Sequence, residues 1–417
     1  MKTKKKPLLS LNRRPAADGR GELAGVSVLI SPNFSVRGRP AGAVSRALKG
    51  FTAPEDSTAV RLLREAGAAF PGAPRISEMG FGLAGDTTAA TLEGTRCTAA
   101  LGLDTLGEIR VAATGAAVTG YKPSYGIFSR AGVIGLVPSM ECPGVAARDI
   151  SPIRKIAAVL ATVDEEDFSM LRRGLPDFRR DGPPGGRPAT LGVIRECLAA
   201  LLPEETEALR QAVAILEKRG YTVREVTLPD FDIFPLAHQI IGSVEASSSA
   251  GNYDGVRFGY RAKDCGNWNE MYIKTRGEAF GTLLKSYLFQ GAYFQFRDYA
   301  AFENACRIRR RLVEETEKIF GEVDFLLLPT RRHGREVGEE KTVAGTYQAF
   351  AFTLPANVTG SPAVSLPGFA VSGGTDLGLQ VVGPHLSDAR LLEFAGRIAD
   401  SRGGAPGPVK PGGGGTG

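Results

Sequence analysis

Residues 190 to 226 constrain the fold more than any other part of this chain. Leu191-Gly192-Val193-Ile194 is a short apolar run of strand length, residues 204–219 carry helical periodicity that Gly220 stops, and Thr222-Val223-Arg224-Glu225-Val226 again reads as a strand. A strand, a helix and a second strand in so short a span form a β-α-β unit, which commits the chain to an α/β fold. The remaining pattern is compatible. Val26-Ser27-Val28-Leu29-Ile30 and Phe325-Leu326-Leu327-Leu328-Pro329 read as buried strands, and residues 57–66, 151–163 and much of 280–320 as helices. The small-residue stretch 84–110 suits backbone packed closely against backbone. Residues 172–187, rich in Arg, Gly and Pro, read as an exposed loop.

With 417 residues, 43% of them hydrophobic and 23% charged, the chain has ordinary globular composition and enough length for a large core. One domain is expected over residues 21–400, between a basic tail at 1–20 and a Gly/Pro-rich tail at 401–417. No run approaches the roughly 20 apolar residues a membrane span needs, and the first residues hold no secretory apolar segment, so the cytoplasm is the expected location. Five scattered cysteines without a C-x-x-C pair argue against a disulfide framework and a zinc site, and His238, His333 and His385 lie far apart in the sequence. No metal and no cofactor are expected. The formal charge of +6 is partly an end effect of Lys2, Lys4, Lys5, Lys6, Arg13 and Arg14. Arg307, Arg309, Arg310 and Arg311 form one further cluster, which reads as the wet face of an amphipathic helix.

Chemistry enters with Gly102-Leu103-Asp104-Thr105-Leu106-Gly107-Glu108-Ile109-Arg110, followed by Gly120-Tyr121-Lys122-Pro123-Ser124-Tyr125-Gly126. These segments resemble the motifs of the amidase signature family, G-x-D-x-G-G-S-I-R and G-x-K-P-T-x-G. Within that family the chain resembles the A subunit of the bacterial glutamyl-tRNA(Gln)/aspartyl-tRNA(Asn) amidotransferases. Tyr253-Asp254-Gly255-Val256-Arg257-Phe258-Gly259-Tyr260-Arg261, the block from Leu354 to Pro367 and the block from Leu377 to Gly383 carry the same likeness. The resemblance implies an amidase signature fold, a central mixed β-sheet surrounded by helices. It retains Gly102, Asp104, Thr105, Gly107 and Arg110, while no counterpart of the family's two N-terminal helices is expected ahead of residue 25.

The resemblance also implies a Ser-cisSer-Lys triad, and at each member this chain departs from it. Ser31 stands where the lysine base belongs, Ala84 falls at the bridging serine by ungapped counting, and Glu108 replaces the nucleophilic serine. Leu106 replaces a neighbouring glycine. The arginine and aspartate that the family uses to grip glutamine become Tyr287 and Phe350.

Three functions follow as expectations. The first is a catalytically inactive paralogue with a binding or regulatory role, its partners being amidotransferase B- or C-like subunits or another A subunit, with tRNA held elsewhere in such a complex. The second is an amidase or glutaminase with rebuilt chemistry, Glu108 acting as base or nucleophile with help from Asp104 or Cys142, against the plainer reading that Glu108 only bonds nearby backbone amides. The third, nucleic-acid binding through the basic tail and the Arg307–Arg311 cluster, has no aromatic interleaving to support it.

Overall fold

The computed structural model describes residues 8–11, 20–180, 189–332, 341–369, 371–372 and 374–400. The tail residues 1–7, 12–19 and 401–417, part of the 172–187 loop and His333 lie outside them. In chain order the first half holds β1 (Leu8–Leu11), β2 (Val28–Ile30), α1 (Thr58–Glu65), β3 (Gly72–Pro74), α2 (Thr88–Gly94), β4 (Ala99–Asp104), α3 (Glu108–Gly115), β5 (Thr119–Lys122), β6 (Cys142–Ala147) and α4 (Ile150–Leu160). The second half holds β7 (Thr190–Ile194), α5 (Arg195–Ala199), α6 (Pro203–Lys218), β8 (Thr222–Val226), α7 (Phe234–Ser249), α8 (Trp268–Ala279), α9 (Thr282–Phe296) and α10 (Tyr299–Ile319). It closes with β9 (Phe325–Pro329), α11 (Val343–Ala349), α12 (Leu354–Thr359), β10 (Ala363–Leu366), β11 (Val371–Ser372), β12 (Thr375–Asp376), β13 (Leu379–Val382) and α13 (Asp388–Asp400).

Nine strands form one mixed sheet in the order β2-β4-β6-β5-β10-β13-β9-β7-β8. The β-α-β unit read from the sequence forms one edge. β7 and β8 pair in parallel from Thr190↔Thr222 to Ile194↔Val226. Their crossover helix α6 starts with Pro203 in its first turn, and the Glu205 carboxylate accepts from the Leu202 N–H at 2.9 Å. Ala208, Leu209, Ala212 and Leu216 are its buried face. Two large apolar clusters pack the molecule, one including Leu101, Tyr121, Val145 and Leu379 and the other Phe234, Tyr287, Leu326 and Phe350. The apolar stretch 280–320 divides at Arg297-Asp298 into α9 and α10, where the Asp298 side chain caps Ala301. One strand lies inside the segment expected as a tail: β1 pairs antiparallel with β3.

β4, the first turn of α3 and β5 carry the signature residues, β4 and β5 being the second and fourth strands of the sheet. At Gly102 a Cβ would meet Ile109 Cδ1 at 2.7 Å, so that side chain would have to shift to admit one. Gly107, at φ 125°, lies so close to Thr353 that a Cβ would meet its Oγ1 at 2.2 Å.

Candidate functional site

α3 begins at Glu108, with Gly107 as its N-cap, and the chain entering it turns three successive amides toward one point. Glu108, 5% exposed, folds its own carboxylate back onto that point. Oε2 accepts from the N–H groups of Thr105 at 2.8 Å, Leu106 at 2.8 Å and Gly107 at 3.2 Å. Oε1 accepts from Gly82 N–H at 3.2 Å. Converging backbone donors at a helix N-terminus make an anion site, the geometry an acyl-transfer enzyme offers to a developing oxyanion. Here the protein's own carboxylate occupies it. Burial lifts Glu108 to about 7, reinforced by the charge of Asp104 and opposed by the amide donors.

The space in front of Glu108 is a cavity of about 20 Å³, room for about one water molecule. Ser31, Asn33, Asp86, Thr88 and Glu108 are among its lining residues, and Ala84 is not. The structure therefore brings two of the three degenerate triad positions together. Ser31 donates its hydroxyl to Asn33 Oδ1 at 2.9 Å, and Asn33 Nδ2 donates to the carbonyls of Met79 and Ile134. Asp86, half-buried, is raised by burial to about 6 while accepting from Thr88 N–H at 2.6 Å.

Behind the amide turn the degenerate substrate positions are packed solid. Tyr287 and Phe350 are fully buried, and Phe81 stacks on Tyr287 with ring centroids 4.3 Å apart. Tyr287 Oη lies 2.9 Å from Tyr347 Oη, Tyr347 Oη 2.9 Å from His238 Nδ1, and His238 Nε2 3.0 Å from the Thr105 carbonyl. The carbonyl can only accept, so Nε2 carries the proton and Nδ1 accepts from Tyr347, which in turn accepts from Tyr287. Burial pushes His238 down to about 3, which keeps it neutral in this chain of bonds. His238 and Tyr347 were not legible as site residues. They lie 133 and 242 positions from Thr105 in sequence; Tyr347 opens the segment that also holds Phe350, but nothing in that segment pointed to His238.

The remaining polar groups are committed to structure. Asp104 and Arg110, both fully buried, form a two-point ion pair at 2.7 and 3.0 Å. Burial alone would raise Asp104, but the Arg110 guanidinium and Asn357 hold it below its usual range. Arg110 also donates to the Thr353 carbonyl at 2.9 Å, to Gln380 and to Asn357. The blocks around Asn357 and Gln380 therefore support the signature from within the core. Lys122 donates to the Pro123 carbonyl at 2.7 Å and lies 3.9 Å from Cys142 Sγ. Burial lowers the amine and raises the thiol.

The arginine cluster on α10 is likewise engaged. Arg309 bonds Ser139 Oγ at 2.8 Å and the carbonyls of Ser139 and Val358, Arg310 pairs with Glu314, and Arg311 pairs with Asp230 and Glu315. Only part of the cluster is a wet face, since Arg309 is turned inward.

The amidase family pattern matches residues 9–91 and 88–392. The chain is 33% identical over 412 residues to the A subunit of the glutamyl-tRNA(Gln) amidotransferase of Symbiobacterium thermophilum, covering 92% of this chain and 84% of that protein. The corresponding A subunit from Myxococcus xanthus is 32% identical over 413 residues, with the same coverage. Among solved structures, the A subunit of the glutamyl-tRNA(Gln) amidotransferase of Thermotoga maritima superposes with a TM-score of 0.77 at 24% identity, over 93% of this chain and 85% of that one.

Proposed function

Because this chain belongs to the amidase signature family, we propose that it is a catalytically inactive member that retains the scaffold in a binding or regulatory role, akin to the amidotransferase A subunits it resembles. The observation that carries this reading is the Glu108 carboxylate seated on the amides of Thr105, Leu106, Gly107 and Gly82. An oxyanion forming on a substrate would need those same donors, and would meet a carboxylate already bound there. The loss of base and nucleophile at Ser31 and Glu108 and the filled space around Tyr287 and Phe81 point the same way. Function lives in the site and not in the fold, and this site has been spent on holding itself together.

The partners proposed are amidotransferase B- or C-like subunits or another A subunit, and tRNA contact is not assigned to this chain. Two measurements test the proposal. Purified protein releases no ammonia from glutamine or simple amides above a buffer control, and tagged protein expressed in its native host copurifies with amidotransferase subunits. Ammonia release that disappears in Glu108→Ala supports the rebuilt-chemistry alternative and refutes inactivity. Elution alone as a folded monomer at low salt refutes the partner-binding role.

A further inference from the structure

The block Tyr253–Arg261 is the retained segment that the buried signature does not use. It follows α7 and lies against the loops at residues 48–51 and 130–138. Gly259 brings its backbone against Ala47, where a Cβ would meet the carbonyl oxygen at 2.0 Å. Between these segments lies a cleft of about 400 Å³, twenty times the volume left in front of Glu108 and within the range of small-molecule sites.

Its walls combine two chemistries. Phe51 and Phe258 meet edge to face with centroids 5.4 Å apart, and Tyr253 packs on Phe258 at 6.1 Å. Arg130 and Arg257 supply positive charge, and none of the lining residues is acidic. Arg257 is only loosely engaged, 3.8 Å from Asp254 and 3.3 Å from Asn252 Oδ1, with its side chain 60% exposed. Arg130 pairs with Glu141 through Nη2, while its buried Nε has no hydrogen-bond partner. The cleft also shares a wall with the closed site, since the carbonyl of Ile134, a lining residue, accepts from Asn33 Nδ2 at 2.9 Å.

We propose that this cleft binds a small aromatic carboxylate, its ring against Phe51, Tyr253 and Phe258 and its carboxylate on the exposed guanidinium of Arg257. The assignment rests on the reading that the scaffold is kept for binding, and it gives that reading a ligand class. An exposed arginine in a wall without acidic residues selects an anion, and three rings select a flat apolar body. An exposed arginine beside a buried one suits a ligand that enters from solvent.

The test is a fluorescence titration of the full chain with 2-naphthoate, compared with neutral 2-naphthamide, in wild type, Arg257→Gln and Phe258→Ala. The expected result is saturable binding of 2-naphthoate by wild type and at least roughly tenfold weaker binding of the amide, the scale of one charge-assisted hydrogen bond. Arg257→Gln should weaken naphthoate by a similar factor and leave naphthamide and the melting temperature unchanged, because Arg257 is exposed. Phe258→Ala should weaken both ligands. Equal affinity for acid and amide, or naphthoate binding unaltered by Arg257→Gln, overturns the proposal. Displacement of naphthoate by equimolar inorganic phosphate also overturns it, since the site would then take a small oxyanion without regard to the ring. Direct binding is blind to ammonia release, so this proposal and the inactivity of the chain can fail separately.

Discussion

Replacing Glu108 by alanine removes the acceptor of four backbone amides at once: Thr105, Leu106, Gly107 and Gly82. A buried donor left unpaired costs about 1–3 kcal/mol, so four set a ceiling of ~12 kcal/mol. Two effects reduce it. Water can enter the enlarged cavity, and the native state no longer bears the desolvation of a buried carboxylate, the cost that lifts Glu108 to about 7. A net loss of about 3 kcal/mol remains. Divided by a melting entropy of roughly 0.8 kcal/mol/K for a chain of this size, that is a drop of about 4 °C in melting temperature. The distinguishing readout is rescue. The emptied nest is an anion site, so formate or acetate should restore Glu108→Ala toward wild type and leave wild type unmoved, by about 2.7 kcal/mol at a hundredfold excess over the dissociation constant. Differential scanning fluorimetry with formate, and with chloride at equal ionic strength, reads the effect. An unchanged melting temperature, or equal response to formate and chloride, refutes the claim that the carboxylate is what fills these amides.

Glu108→Ser restores the family's nucleophile alone and should release no ammonia from glutamine, because no base stands at Ser31 and Phe81 and Tyr287 still fill the space behind; turnover by this single mutant would show that another base is in reach. The stability of wild type should fall as pH rises from about 4.5 to about 7, because folded Glu108 keeps its proton to about 7 while the unfolded chain releases it near 4.5. That shift is worth roughly 3 kcal/mol, and denaturant titrations of Glu108→Gln should lack this part of the pH dependence. Tyr347→Phe leaves His238 Nδ1 and Tyr287 Oη without their shared partner and should cost about 1–3 kcal/mol, measured as a lowered denaturation midpoint. Gly107→Ala should fail to accumulate as soluble protein, because its Cβ would overlap Thr353 Oγ1 and Gly107 holds a φ of 125°; a folded Gly107→Ala would contradict the described turn.

Much of the sheet was legible because its strands announce themselves locally. β7, α6 and β8 have period, capping and a stop glycine within one span, and β9 is an unbroken apolar run. β1 was not legible, since Leu8–Leu11 is four residues beside a basic segment and its pairing with β3 is a long-range event. Motif spacing identified Ser31 and Glu108, which meet in one cavity. Ala84, reached by counting back from Glu108, does not line that cavity, whereas the Gly82 N–H reaches Glu108. The sequence raised the possibility that Glu108 bonds backbone amides, but four donors on one carboxylate depend on the rotamer and on the backbone path through Gly107. The same limit hid His238 and Tyr347, whose hydrogen bonds join α7 and α11 to the signature turn and leave no local pattern.

Whether any chemistry remains at the α3 N-terminus decides between an inactive scaffold and a rebuilt enzyme. The direct measurement is ammonia release from glutamine by purified protein at high enzyme concentration and over long incubation, with Glu108→Ala run in parallel. An inactive scaffold predicts no release above buffer from either protein. Release by wild type that is absent in a folded Glu108→Ala would contradict it.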